Sequence, residues 1–136
     1  MPLDRTALVD LAVQRYFVAC NKGDLETVLA TFAPDCRVRF ASGEFEYRGA
    51  EALEAHFNEF RETFSVIDFH DFESLVDIEK QSIAVRFEVT LVDQQGDTTT
   101  MRNCNIFKVN NKGLFSDIVV YNTAPLDEGF AAGNSC

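Results

Sequence analysis

The chain has 136 residues, enough for one domain with one sizeable core. A formal net charge of -10 excludes the cation-rich surfaces that bind nucleic acid or anionic membranes. Hydrophobic residues at 46% and charged residues at 25% exclude a disordered chain. Thirteen phenylalanines and no tryptophan supply apolar volume without polar atoms, which suits a dense core or the wall of an apolar cavity.

The first predicted element is an amphipathic helix from about Asp4 to Asn21. Leu8, Leu11, Ala12, Tyr16 and Ala19 form its apolar stripe, with Val9 and Phe17 at the margin. "NKG" ends it at Gly23. Asp24 then caps a short helix, "LETVLATF", whose Leu25, Val28, Leu29 and Phe32 face inward. "APD" breaks that helix, because the residue before Pro34 disfavours α geometry. "CRVRF" reads as a strand, "ASGE" as its turn and "FEYR" as the returning strand. Arg37 and Arg39 then point away from the core. A third helix comes next, from Ala50 to about Thr63, with Leu53, His56, Phe57, Phe60 and Phe64 on its stripe.

From Val66 the period changes to two. "VIDFHDFESLVDI" alternates imperfectly, which predicts a bulge. "SIAVRFEVTLVD" and "TTTMRNCNIFKV" alternate as strands, and "LFSDIVVY" comes after the "NNKG" turn. In "MRNCNIFKV", Asn103 and Asn105 share a face with Met101, Phe107 and Val109. The order is three helices, with a short hairpin between the second and third, then a four-strand antiparallel meander. That is an α+β fold in which a curved sheet, half covered by helices, encloses a cone. The expected domain spans residues 1–126, and residues 127–136 read as a flexible tail.

Cys20, Cys36, Cys104 and Cys136 show no metal-ligand spacing and no CxxC, so free thiols are expected and no metal. No motif calls for a cofactor. "MPLDRTALVD" lacks a basic segment followed by an apolar run, and no run approaches the ~18 apolar residues of a membrane span. The expectation is a cytoplasmic protein.

The segments "YFVACNKGDLETVLATFAPDCRVRF", "YRGAEALEAHF" and "CNIFKVNNKGLFSDIVVY" resemble the nuclear-transport-factor-2-like superfamily, in particular its SnoaL-like and ketosteroid-isomerase-like branches. The resemblance covers roughly residues 8 to 126. It implies a cystatin-like cone and a homodimer joined through the sheet. It also implies site positions. The isomerase family's oxyanion-hole tyrosine falls on Tyr16, and its supporting tyrosines on Phe32 and Phe57. The catalytic base falls on Phe40, and the protonated aspartic acid on Asn105. Phenylalanine cannot accept a proton, so standard ketosteroid isomerase chemistry is unavailable at Phe40. Asn105 still carries N–H donors toward an oxygen. In the epoxide-hydrolase comparison the charged positions fall on Asn103, Asn105 and Val120, and all three charges are missing.

Two functions from different classes are consistent with these residues. In one, a pocket lined by Asn103, Asn105, Phe40, Phe57, Phe32, Phe107 and Val120 binds a small hydrophobic, oxygen-bearing molecule. In the other, a lyase, cyclase or isomerase uses Tyr16 and Asn105 as oxygen donors and His56 or His70 to move protons. His70 shares strand parity with Asp68 and Phe72, so a His70–Asp68 dyad is a candidate base with its orienting partner. His70 can join Asp71 only across a bulge.

Overall fold

The computed structural model describes residues 2–43 and 45–123. The expected tail at 127–136 and the Cys136 thiol lie outside the described residues.

Asp4 starts the first helix by accepting the Ala7 amide at 2.9 Å, which satisfies an N–H the helix itself leaves unpaired. Helix α1 is a continuous run, α-helical over Arg5–Val9, π-helical over Asp10–Val18 and α-helical again over Ala19–Lys22. Its wide middle shows in the burial pattern. Leu11 with Tyr16, and Ala12 with Phe17, are buried pairs five residues apart, the repeat of i→i+5 bonding. Phe17, expected at the stripe's margin, is therefore at its centre, with 0% exposure. Gly23 ends the run at φ 73, a left-handed conformation that a side chain disfavours. Asp24 caps α2 (Leu25–Leu29) through the Thr27 amide at 3.2 Å.

Six strands and one more helix complete the chain: β1 Phe32–Phe40, β2 Glu46–Arg48, α3 Ala50–Thr63, β3 Phe64–Asp77, β4 Ser82–Asp93, β5 Thr98–Val109 and β6 Phe115–Asn122. They form one curved sheet in the order β2-β1-β6-β5-β4-β3. β3 to β6 make the expected antiparallel meander. β1 starts earlier than expected, at Phe32, because an irregularity in its pairing with β6 absorbs Pro34 and Asp35. β1 and β6 run parallel, with Val38 opposite Ile118 and Phe40 opposite Val120. That pairing carries the first hairpin onto the meander. On its outer side, Asp117 accepts from Arg37 at 3.1 Å and Arg39 at 3.4 Å, so both arginines point away from the core as expected.

Alternation decides which face is covered. Ile83, Val85, Phe87, Val89 and Leu91 on β4, and Asn103, Asn105, Phe107 and Val109 on β5, are buried under the helices. Phe107 is the hub: its ring lies 5.3 Å from Tyr16, 5.7 Å from Phe17 and 4.8 Å from Phe115, centroid to centroid. Burying such a ring contributes about 1.5–3 kcal/mol by area alone.

β3 carries the expected bulge. Its pairing with β4 slips between His70 and Glu73, and Asp71 there takes φ 56. The extra residue reverses the parity of the rest of the strand, so Phe69 and Phe72 both pack on Phe17. The edge of β3 is tied to α1 by Asn21, whose amide donates to the Phe69 carbonyl at 2.8 Å and accepts the Phe69 N–H at 2.7 Å. These bonds occupy backbone groups that an edge strand leaves open. Among the described residues no helix is long and apolar enough to cross a membrane.

Candidate functional site

A cavity of about 130 Å³ opens between α1, α3 and the concave face of the sheet. Tyr16 and Phe17 come from α1, His56, Phe57 and Phe60 from α3, and Val38 and Phe40 from β1. Phe69 of β3 and Phe87, Val89 and Leu91 of β4 form another wall. Met101, Asn103 and Asn105 of β5 and Val120 and Asn122 of β6 complete it. The parallel β1–β6 pairing sets one row of this wall: Phe40 lies opposite Val120, and Val120 opposite Asn105. The next row sets Asn103 between Asn122 and Phe87.

The polar atoms differ in their commitments. Asn103 accepts the Thr123 amide at 3.2 Å through its Oδ1. Asn105 is 3% exposed, and its Oδ1 is buried with no hydrogen-bond partner. An amide can turn about its terminal torsion, so either its oxygen or its NH₂ can meet a guest. Among the described residues nothing hydrogen-bonds the Tyr16 hydroxyl, which sits on a ring surrounded edge-on by Phe17, Phe32, Phe57, Phe107 and Phe115. Burial raises its pKa well above 10, and the nearby Cys20 and Cys36 add to that, so Tyr16 is a neutral donor.

His56 stacks on Tyr47 and touches the rings of Phe40, Phe57 and Phe60. Burial lowers its pKa from 6.5, with Glu59 pulling the other way, so at neutral pH it is an uncharged imidazole.

The sequence-derived residues fall into three groups. Tyr16, His56, Asn103, Asn105, Phe40, Phe57 and Val120 line one cavity. Phe32 and Phe107 do not line it; they stand behind Tyr16, in the core. His70 and Asp68 lie on the outer side of the sheet. His70 Nδ1 meets Asp71 Oδ2 at 2.9 Å and its Nε2 meets Thr90 Oγ1 at 3.0 Å, so the expected Asp68 partner is replaced by Asp71. The bulge is the cause: its turn at Asp71 brings adjacent side chains together. The sequence reading did not single out Asn122, Met101 or Phe69 as site residues. Asn122 has a visible signal, two residues beyond Val120 on the same strand face. Among the described residues no group of three His, Cys, Asp or Glu side chains is placed to hold a metal ion, and Cys20, Cys36 and Cys104 are free thiols.

A curved sheet backed by N-terminal helices is the cystatin-like, NTF2-like fold. Within it, the SnoaL-like domain model matches residues 13–118, and the chain belongs to that family. A candidate polyketide cyclase from Xanthomonas campestris pv. campestris superposes with a TM-score of 0.79 at 22% identity, over 93% of this chain and 96% of that one. AusH from Aspergillus nidulans does so with a TM-score of 0.77 at 19% identity, over 98% of this chain and 100% of that one. SalBIII, an epoxide hydrolase/cyclase-like enzyme in pyran ring formation in the polyether salinomycin, gives 0.78 at 16% identity, over 88% and 93%. These likenesses establish the fold. No curated protein sequence matches the chain.

Proposed function

We propose that the cavity binds a small apolar molecule bearing an oxygen, which Asn105 and Tyr16 hold. One observation carries this reading: the Asn105 Oδ1 is buried without a partner in a wall that is otherwise mostly aromatic and aliphatic. A dry polar atom of this kind costs about 1–3 kcal/mol. A guest hydroxyl relieves that cost by donating to it, and a guest carbonyl engages the same amide turned over. The Phe40 side chain at the family's base position and the two neutral amides support binding without standard ketosteroid isomerase chemistry. A panel of steroids, polyketides and terpenoids tests the reading by thermal shift and calorimetry. The expected result is saturable binding that Asn105→Leu weakens; binding indifferent to that substitution removes Asn105 from the site.

A second reading has one observation in its favour: His56 lines the same cavity as Asn105 and is uncharged at neutral pH. In this reading the imidazole takes a proton from carbon beside the bound carbonyl and returns it elsewhere on the same molecule. Tyr16 and Asn105 stabilise the intervening enolate. Product analysis in deuterium oxide tests it. Label should enter the product with wild-type protein and not with His56→Phe; equal labelling by both sinks it.

The reading further takes the protein as cytoplasmic, with one domain over residues 1–126. It also takes it as a homodimer joined through the outer face of the sheet, where Leu75 and Ile106 are 70% and 36% exposed. A monodisperse monomer by light scattering at micromolar concentration contradicts the dimer.

A further inference from the structure

The cavity wall has a property that its individual residues do not announce. Charged residues are 25% of the chain, yet among the described residues none of the side chains lining this space is Asp, Glu, Lys or Arg. Three arginines of the sheet are paired on its other side, Arg37 and Arg39 to Asp117 and Arg86 to Glu73. Arg61 of α3 donates to the Gly23 carbonyl at 3.2 Å. Among the described residues the titratable groups of the wall are Tyr16 and His56, and burial favours the neutral form of each.

From this wall we infer that the cavity is a filter for uncharged molecules: it takes ketones, alcohols, esters or ethers and rejects ionised carboxylic acids and amines of the same shape. The inference deepens the proposed binding function and rests on it. An ion entering the cavity exchanges its water shell for phenyl and aliphatic surfaces. No fixed counter-charge meets it there, and its desolvation goes uncompensated. A carboxylate meets only neutral donors at Asn105, Asn103 and Tyr16, and the net charge of -10 repels it on approach. An ammonium is drawn by the net charge and gains from a ring face, but among the described residues it finds one unpartnered amide oxygen, at Asn105, and no carboxylate, so its larger desolvation cost still dominates. A neutral hydroxyl or carbonyl has a far smaller desolvation cost and satisfies the unpartnered amide.

The test uses the wild-type protein and three probes with one naphthyl body: 1-acetylnaphthalene, 1-naphthoate and 1-naphthylmethylammonium. Calorimetry at pH 7 to 8.5 reads their affinities, above the range in which His56 charges. The ketone is expected to bind at least about tenfold more tightly than either ion. If 1-naphthoate binds at all, it enters as the neutral acid, and its apparent affinity falls about tenfold per pH unit across that range. A carboxylate or ammonium that binds as well as the ketone, or naphthoate binding independent of pH, overturns the filter and leaves the binding reading standing. Failure of all three probes, together with failure of the steroid, polyketide and terpenoid panel, overturns both.

Discussion

His56 lies against Tyr47 with ring centroids 4.1 Å apart and planes 23° from parallel. With Phe40, Phe57 and Phe60 also at its ring, the imidazole has exchanged much of its water for aromatic carbon. Charge is disfavoured there, and the folded pKa falls below the ordinary 6.5. In the window between the folded pKa and 6.5 the unfolded chain holds more protons than the folded one, so stability rises with pH through it. The stabilisation is complete above 6.5 and is lost on acidification through the folded value. Urea titrations from about pH 5 to 8 should show this slope in the wild type and a flatter one in His56→Phe. Identical slopes in the two proteins would assign the dependence to other groups.

Asn105→Leu is expected to move stability and binding in opposite directions. Removing a buried, unpaired oxygen from an apolar wall stabilises the empty protein by about 1 kcal/mol. The same change removes the group that grips the guest, and affinity for an oxygen-bearing ligand falls about tenfold. Denaturant midpoints and calorimetry read the two effects separately. A loss of both stability and affinity would mean that the amide is structural.

His70→Ala should leave cavity binding unchanged. Its ring is spent on Asp71 and Thr90, on the far side of the sheet from Asn105. A change of more than about threefold in affinity, beyond what a distant, independent site transmits, would contradict that separation.

Asn21→Ala should cost about 2 kcal/mol, from two lost hydrogen bonds to the Phe69 backbone of about 1 kcal/mol each. Hydrogen exchange at Phe69 should rise locally, because that amide has Asn21 as its acceptor. Unchanged exchange at Phe69 would show that the edge of β3 is held by something else.

Much of this architecture is written in local pattern. The bounds of β4 and β5 coincide with the alternating runs read from the sequence, and α3 runs from Ala50 to Thr63 as expected, although Phe64 of its expected stripe opens β3 instead. Alternation likewise put Asn103 and Asn105 on the enclosed face, and the family resemblance marked Phe40, Tyr16 and Val120 as neighbours of that face. Side-chain direction repeats every two residues in a strand and about every 3.6 in a helix, so such facts are local and legible.

The histidines were not legible in that way. His56 and His70 are both flanked by aromatic and acidic residues, and neither flank says which one meets Asn105. His70 faces outward by alternation with Phe69, and the slip at Asp71 then reverses the parity of β3 and turns Phe72 inward, away from the face it shared with His70 in the unbroken pattern. The π-helical middle of α1 moved Phe17 from the margin to the centre. The sequence by itself determined most of the elements, the inner faces of β4 and β5 and the absence of a carboxylate at Phe40 and Asn105. Only the tertiary structure decided that β1 lies beside β6, that His56 rather than His70 lines the cavity, and that Phe32 and Phe107 stand behind it. The reason is physical: periodicity sets the direction of a side chain within its own element, whereas a shared cavity depends on pairing and register between elements far apart in the chain.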